Sequence, residues 1–269
     1  MRTAIVVESR LSSRRLPGKA LRPIAGEPML GVLLDRLKRS RLADVICVAT
    51  STEPNDAAIA ALARAKGVEA FLGSLDDVLG RVLGALDFVA ADLIVEITGD
   101  CPLVDPLLID QAIARYLAGG ADYLANMLNR LTYPIGMDVQ IYSRALLASV
   151  DLLCLEPDMR VDVTPYIYRH GERFRLLNIL APPPLSRPNY RLCVDVKEDF
   201  ELIEAVHHAL GRRGTAYGLA EIVAFLDANP ALARHNLNQP DAFACPRTVG
   251  PLREEEMPLP ADDPRLAAA

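Results

Sequence analysis

Apolar runs and helical repeats alternate over the first hundred residues of the chain. A continuous apolar run occupies Ala4–Val7, a pattern typical of a parallel strand covered on both faces. The largely apolar runs Val45–Thr50 and Asp92–Ile97 are interpreted as further strands. Between these runs, apolar residues recur at helical spacing in Pro28–Ser40 and Asp56–Gly67. Because the strands alternate with crossover helices, the pattern predicts an α/β fold with a mainly parallel sheet.

The pattern changes in the second half of the chain. Residues of about 122–180 mix short strand-like pieces with short helices, which predicts a small antiparallel extension or lid. Arg191–Val196 is interpreted as a further strand, and Lys197–Arg213 as a closing helix. Proline, acidic residues and alanine then accumulate without periodicity, so residues 240–269 are expected to form a disordered or loosely packed tail. The predicted organisation is one domain over residues 1–239, followed by that tail.

Composition narrows the class of protein. Hydrophobic residues make up 51% and charged residues 24% of the 269 residues, normal values for a globular protein. The formal net charge of -6 argues against a dedicated nucleic-acid binder, which is usually basic. The segment Met1–Arg10 turns charged after a short apolar run, so we interpret it as a strand rather than a signal peptide or membrane span. We expect a cytoplasmic protein that binds neither nucleic acid nor membrane.

A cluster of cations follows the first predicted strand. The segment Glu8–Lys19 (ESRLSSRRLPGK) carries Arg10, Arg14, Arg15 and Lys19, with two serine hydroxyls and a Pro-Gly turn. Loops at the carboxyl ends of parallel strands form the ligand crevice of such sheets, and cations there can hold a polyphosphate. The segment lacks the glycine spacing of a Walker A or a dinucleotide-binding loop. A solvated basic loop is the alternative that charge alone leaves open.

Two aspartates lie at other predicted strand ends. Asp100 follows the strand Asp92–Ile97, and Asp195 precedes the closing helix. Carboxylates from separate strand ends can ligate Mg²⁺ together with substrate phosphates. Helix capping is the alternative for each of them, and Glu198 and Asp199 are expected to favour a helix N-terminus. Together with the basic loop, the two aspartates predict a phosphate and magnesium site.

Short motifs follow one another in a fixed order along residues 3–239. They are Ser13 with Arg15–Lys19, Gly73–Arg81, Thr98–Asp100, Tyr133–Asp138, Val163–Tyr166 and Asp195–Asp199. In this order the motifs resemble those of the CMP-sugar synthetase group, especially the spore-coat-polysaccharide-type cytidylyltransferases, relatives of the CMP-Kdo and CMP-neuraminate synthetases. The resemblance implies a nucleotide-diphospho-sugar transferase-like fold, a three-layer α/β sandwich. It also implies a homodimer formed through the extension near residues 122–180.

The resemblance further implies a reaction and the residues that perform it. CMP would pass from CTP to a small sugar-like acid, with Mg²⁺ as cofactor and pyrophosphate as the second product. The implied catalytic residues are Lys19, Arg15 and Asp100, and the implied metal ligands are Asp100 and Asp195. The implied nucleotide-binding residues are Arg10, Ser13, Arg15, Lys19, Ser74, Arg81 and Thr98. The implied acceptor-binding residues are Tyr133, Gly136 and Asp138.

The chain departs from the family pattern in two regions. In the basic loop, Ser9, Ser12 and Arg14 replace the usual Ala, Gly and Thr, changes that are compatible with triphosphate binding. Nearer the expected acceptor, Val161-Asp162 and Leu192-Cys193 replace Glu-His and Trp-Thr. Polar and aromatic groups are thereby lost, so the identity of the acceptor stays open.

Three other functions are weighed against CMP transfer to a sugar acid. A glycosyltransferase of similar fold would need an Asp-x-Asp metal motif, which this sequence lacks. A cytidylyltransferase acting on a phosphate or phosphonate acceptor remains open, because the acceptor segment is altered. A non-catalytic nucleotide-binding paralogue is disfavoured by the presence of both Asp100 and Asp195.

Overall fold

An eight-stranded sheet forms the centre of the computed structural model, which describes residues 1–211, 217–237, 245–260 and 266. The strands of this sheet are β1 (Thr3–Glu8), β4 (Val45–Ser51), β5 (Glu69–Gly73), β6 (Leu93–Thr98), β7 (Tyr123–Ala125), β8 (Gln140–Ser143), β9 (Leu176–Leu180) and β10 (Leu252–Glu256). A separate two-stranded antiparallel sheet consists of β2 (Pro23–Ile24) and β3 (Glu27–Pro28).

Helices cover both faces of the sheet and give three layers. The helices are α1 (Met29–Leu37), α2 (Ala57–Ala65), α3 (Val78–Phe88), α4 (Pro106–Leu117), α5 (Arg144–Leu153), α6 (Pro157–Arg160), α7 (Pro165–Arg169), α8 (Lys197–Leu210), α9 (Leu219–Ala228) and α10 (Pro230–Ala233). Buried residues of α1, α2, α4, α8 and α9 form one core cluster with the sheet, and those of α3, α5 and α7 form the other. The predicted α/β three-layer fold is confirmed.

The alternation of side chains along β1 explains why its sequence is continuously apolar. Ile5 and Val7 pack into one cluster and Ala4 and Val6 into the other, all without exposure to solvent. A strand in the middle of a covered parallel sheet has no solvent face on which polar residues could alternate. Within the described residues, no helix combines the length and the apolar character needed to cross a bilayer.

The strand order determines where a ligand crevice can form in this sheet. The sheet runs β10-β9-β7-β8-β6-β1-β4-β5, and β1 pairs in parallel with both β4 and β6. In the sheet, β4 and β5 lie on one side of β1, whereas the later strands β6, β7 and β8 lie on its other side. Ligands bind at such a switch point, outside the carboxyl ends of the strands. Glu8 and Thr98 lie opposite each other there, as the last residues of β1 and β6.

The antiparallel part of the fold is smaller than predicted for residues 122–180 and continues the central sheet. β8 runs antiparallel to its neighbours β6 and β7, whereas β7 and β9 pair in parallel. Every other pairing in the described part of this sheet is parallel. The prediction of a strand at Arg191–Val196 is wrong, because this segment makes only a single parallel bridge, between Ile135 and Arg191.

The prediction of a loosely packed tail is wrong for residues 245–260. β10 extends the sheet by pairing in parallel with β9, and Met257 after it is buried. Arg115 of α4 donates to the Glu255 carboxylate at 2.7 Å. The glutamates of β10 hid the strand in the sequence, because an edge strand accommodates charged side chains. Residues 240–244, 261–265 and 267–269 of the predicted tail lie outside the described residues.

Candidate active site

A crevice of about 660 Å³ opens at the carboxyl ends of β1 and β6. Its walls come from the loop after β1, the segment that leads into α3, the loop after β6 and the turn before α8. It brings together most of the predicted residues: Arg10, Ser13, Arg15, Lys19, Arg81, Thr98, Asp100 and Asp195. Its volume lies within the range of about 300–1,000 Å³ that is typical of small-molecule sites.

The loop after β1 is anchored at its base and turned at its end. Asp56 is buried and accepts the backbone N–H of Leu11 at 2.8 Å and the hydroxyl of Ser51. Gly18 has a φ of +70°, a left-handed conformation that glycine adopts without steric cost. A short 3₁₀ helix, Lys19–Leu21, follows this turn. The turn therefore starts a rigid segment at Lys19 and directs its side chain into the crevice.

Lys19 joins the two aspartates predicted as metal ligands. Its ammonium nitrogen lies 2.8 Å from Asp100 Oδ2, 3.0 Å from Asp195 Oδ1 and 2.5 Å from the Val194 carbonyl oxygen. The side chain is only 11% exposed. Burial lowers the pKa of Lys19, but the Asp100 and Asp195 carboxylates outweigh it and raise the pKa above its usual value. Lys19 is therefore a fixed positive charge between two carboxylates.

Asp195 is oriented by a buried ion-pair network. Its Oδ1 lies 3.0 Å from Arg15 Nη2, and its Oδ2 accepts from Arg191 at 2.7 Å. Arg191 also donates to Asp199 at 2.9 and 3.2 Å. Asp199, which has no solvent exposure, in turn accepts the backbone N–H groups of Asp195 and Val196. Although burial opposes it, the surrounding Lys19, Arg15 and Arg191 charges hold the pKa of Asp195 below its usual value.

The loop after β6 approaches the loop after β1 so closely that it requires glycine. Gly99 donates its N–H to the Glu8 carbonyl at 2.7 Å. A Cβ at this position would lie 2.7 Å from the Glu8 carbonyl oxygen and 2.8 Å from Ser9 Cβ. The Thr98 hydroxyl is 3.1 Å from Cys101 Sγ, and the neighbouring Asp100 reaches Lys19. The Thr-Gly-Asp motif thus positions Asp100 through a close backbone contact.

A buried carboxyl pair lies at the end of β1 and on β6. The Glu8 and Glu96 carboxyls interact with each other, and each shifts the pKa of the other. The Tyr142 hydroxyl also donates to Glu96. Burial and the Asp162 charge raise the pKa of Glu8 to about 7, against the lowering effect of Arg81. Burial and the Glu8 charge raise the pKa of Glu96 well above its usual range.

Arg81 and Ser74 of the same motif have different surroundings. Arg81 lines the crevice and donates to the carbonyl oxygens of Ser74 at 2.5 Å and Leu75 at 3.3 Å. The Ser74 hydroxyl accepts the N–H groups of Asp76 and Asp77. Ser74 does not contribute to the crevice lining, because its side chain closes the turn before α3. Its contact with the nucleotide stays a prediction.

None of the three predicted acceptor residues lines the crevice. Tyr133 is buried and lines a second cavity of about 520 Å³, near Asp105.

Gly136, at φ +93°, passes so close to the segment around Leu192 that a Cβ would lie 2.5 Å from the Leu192 carbonyl carbon. Asp138 accepts the Gly136 N–H at 3.1 Å. Burial and the Asp100 charge raise the pKa of Asp138 to about 6, although that hydrogen bond opposes the shift. The Asp138 carboxyl is therefore close enough to Asp100 for the Asp100 charge to act on it, whereas Tyr133 lies at the second cavity.

The site offers two carboxylates to a metal ion. Asp100 and Asp195 each place an oxygen within 3.0 Å of the same Lys19 nitrogen, so small rotamer changes suffice for both to reach one ion. Carboxylate oxygens suit Mg²⁺, whose other ligands would come from phosphates and water. In the described residues, no group of three or more His, Cys, Asp or Glu side chains is arranged to hold a metal. The residues present fit a divalent cation that binds together with a nucleotide.

Sequence reasoning missed four charged residues of this site: Glu8, Glu96, Arg191 and Asp199. Glu96 offered a signal, since a lone acid in the apolar run Asp92–Ile97 must find a partner when buried. The prediction that Asp199 lies at a helix N-terminus is confirmed, whereas its ion pair with Arg191, eight residues earlier, has no signal in the sequence pattern.

Comparison with known proteins agrees with the motifs. The family model described as cytidylyltransferase matches residues 4–222. The chain is 33% identical over 233 residues to the spore coat polysaccharide biosynthesis protein SpsF of Bacillus subtilis, covering 85% of this chain and 95% of that protein.

Solved structures share the fold. A cytidylyltransferase from Leptospira borgpetersenii superposes with a TM-score of 0.81 and 30% identity, covering 90% of this chain and 100% of that chain. A CMP:2-keto-3-deoxy-manno-octonic acid synthetase complexed with CTP superposes with a TM-score of 0.61 and 17% identity, covering 78% of this chain and 99% of that chain. The latter likeness shows the fold alone. Because the family model spans most of the sequence, the chain belongs to the cytidylyltransferase family.

Proposed function

We propose that this chain transfers CMP from CTP to an oxygen of a small sugar-like acid, with Mg²⁺ as cofactor and pyrophosphate as the second product. The observation that carries the proposal is the placement of Lys19 between Asp100 and Asp195, with Arg15 beside them, in one crevice. The names of the relatives support it, since SpsF is assigned to spore coat polysaccharide biosynthesis and the synthetase structure holds CTP. Surface polysaccharide synthesis is the role that we extend to this chain.

The charges of the crevice suit nucleotidyl transfer. The acceptor oxygen would form a bond to the α-phosphorus of CTP while the bond to pyrophosphate breaks. Such a transfer needs positioning and charge neutralisation more than covalent catalysis. Lys19 supplies a fixed positive charge beside the phosphates, and Arg15 can offer its planar guanidinium to the phosphate oxygens. A divalent cation held by Asp100 and Asp195 would add Lewis-acid neutralisation of the phosphates.

We propose that the acceptor binds on the side of Asp100 that is nearer to Asp138. Asp138 is partly buried, and burial together with the Asp100 charge raises the pKa of its carboxyl to about 6. A partly protonated carboxyl can both donate and accept hydrogen bonds, which suits the hydroxyls of a sugar. Gly136 allows the backbone to come this close to Leu192 and Cys193, and any side chain there would push the Asp138 loop away.

The direct test is pyrophosphate release. The purified chain is incubated with MgCl₂, each of four nucleoside triphosphates and a panel of sugar acids, sugar phosphates and phosphonates. We expect release with CTP and a sugar acid, abolished by EDTA, and a CMP-acceptor product seen by mass spectrometry. Release only with a phosphate or phosphonate acceptor would favour that alternative. No release from CTP with any acceptor, by protein that binds CTP, would support the non-catalytic alternative.

We also propose a homodimer through the extension near residues 122–180. Leu152, Leu153 and Leu155, at the end of α5, are 78%, 49% and 78% exposed, and Val161 nearby is 58% exposed. An apolar patch of this kind marks an interaction surface, and two-fold pairing of one patch with itself is the commonest assembly. Val161 also lines the crevice, so the second copy would border the active site.

The dimer is tested by light scattering at micromolar concentration. We expect the mass of two chains for the wild type and of one chain for the double variant Leu152→Asp, Leu155→Asp. Leu117→Asp is the control, because this leucine at the end of α4 is 50% exposed outside the patch. A wild type with the mass of one chain would contradict the proposal.

A further inference from the structure

Arg81 and Glu8 form an incompletely bonded pair in the crevice. Arg81 Nη2 lies 3.9 Å from Glu8 Oε2, which is too long for a hydrogen bond. The Arg81 Nε–H is buried without any partner. The two side chains are only 3% and 15% exposed, so water does not readily satisfy them. Two groups of opposite charge are thus held side by side, each with hydrogen-bonding capacity left over.

The protein holds this pair in place from several sides. Two backbone carbonyls, of Ser74 and Leu75, fix the Nη1 end of Arg81, and the Glu96 carboxyl interacts with Glu8. A buried donor left unsatisfied costs about 1–3 kcal/mol. A protein that retains this energetic cost can recover it when a bound ligand forms hydrogen bonds with the unsatisfied groups. Arg81 and Glu8 therefore mark a subsite for a polar ligand edge.

The chemistry required of that edge is specific. It must present a donor to the Glu8 carboxylate and, beside it, an acceptor to the Arg81 guanidinium. Leu75 and Val78 add apolar contact to this wall of the crevice, and an apolar wall suits the face of a flat ring. Cytosine has this edge, because its exocyclic amine donates where uracil has a carbonyl acceptor. Acceptance of the cytosine amine by Glu or Asp is an established pairing in base recognition.

We propose that Glu8 and Arg81 read the cytosine edge of the nucleotide and so select CTP over UTP. The inference rests on the proposed function and adds the residues that choose the base. Glu8 accepts the exocyclic amine, and Arg81 donates to the ring nitrogen next to it. With UTP, a carbonyl would face the Glu8 carboxylate and a ring N–H would face the Arg81 donors, so both contacts would be repulsive.

The charges around Glu8 agree with this role. Glu8 faces Arg81 of α3, Glu96 of β6, Asp162 before α7 and Asp100 after β6. With the pKa of Glu8 at about 7, the carboxylate predominates at pH 8. The phosphates meanwhile reach the cations at the opposite end of the same crevice, around Lys19.

The test is the ratio of dissociation constants for UTP and CTP, measured by isothermal titration calorimetry at pH 8 with MgCl₂ and without acceptor. We expect wild type to bind CTP roughly tenfold or more tightly than UTP, since one such pair of contacts discriminates by about 1–3 kcal/mol. In Glu8→Gln the amide can donate to the uracil carbonyl, so the ratio should fall at least about fivefold. Asp76→Asn is the matched control, because it removes a charge from the same crevice wall without touching Arg81, and its ratio should stay at the wild-type value.

The outcomes separate the two proposals. A ratio near one in wild type, an unchanged ratio in Glu8→Gln, or an equal fall in Asp76→Asn would each overturn the base-reading pair. Any of these results leaves CMP transfer standing if pyrophosphate is released from CTP. Failure of the proposed function would instead show as no pyrophosphate release with any acceptor, whatever the ratio of dissociation constants.

Discussion

Lys19→Met is expected to lower turnover by roughly 100-fold or more, the effect of losing one preorganised charge at a reacting centre, about 3 kcal/mol. Lys19 pairs with both Asp100 and Asp195, and it is nearly buried. Methionine keeps a long side chain in the same space and removes the charge alone. Turnover is measured as pyrophosphate release from CTP, and Arg14→Met, an exposed cation of the same crevice, serves as the control.

Although Lys19→Met is expected to lower turnover, it should raise the affinity of the site for a divalent cation. In the absence of nucleotide, the Lys19 ammonium neutralises the Asp100 and Asp195 carboxylates. Without it the two carboxylates would repel each other, so a divalent cation should bind more tightly to Lys19→Met than to wild type. Titration with Mn²⁺, followed by electron paramagnetic resonance, measures this directly. Wild-type turnover, or weaker Mn²⁺ binding in the variant, would remove Lys19 from the proposed site.

Asp199→Ala is expected to destabilise the fold by about 3–5 kcal/mol, the range found when one partner of a buried ion pair is removed. Asp199 has no solvent exposure and pairs with Arg191. It also accepts from the backbone of Asp195 and Val196 and from the Asn236 amide. Alanine would leave all of these donors without their acceptor, and the Arg191 charge would be buried with only Asp195 beside it.

The free energy of unfolding is measured by urea denaturation. Glu198→Ala is the matched control, since it removes the neighbouring acid from the first turn of α8 and leaves the Arg191 pair intact. We expect the control to lose less than about 1 kcal/mol, the usual worth of an acid at a helix N-terminus. Equal losses in the two variants would show that Asp199 acts only through the helix N-terminus.

Much of the fold followed from periodicity. The runs Ala4–Val7, Val45–Thr50 and Asp92–Ile97 became β1, β4 and β6 with shifts of one residue at their ends. Strands of this kind can be predicted from the sequence because both of their faces are buried. Their apolar residues therefore match the apolar surroundings that the fold gives them. The positions of the basic loop and of Asp100 could be predicted for a related reason. Polar residues that directly follow such strands lie at one edge of a parallel sheet, where ligands bind.

The sequence by itself determined the α/β class, the family and the approximate position of the crevice, because these depend on local patterns and contiguous motifs. Only the tertiary structure decided that β10 completes the sheet, that Tyr133 turns away from the crevice and that Glu8 meets Arg81. The physical reason is the range of the interactions. An edge strand depends on its neighbour rather than on its own hydrophobicity. A buried ion pair depends on which distant segments the packed helices and strands bring within a few ångströms.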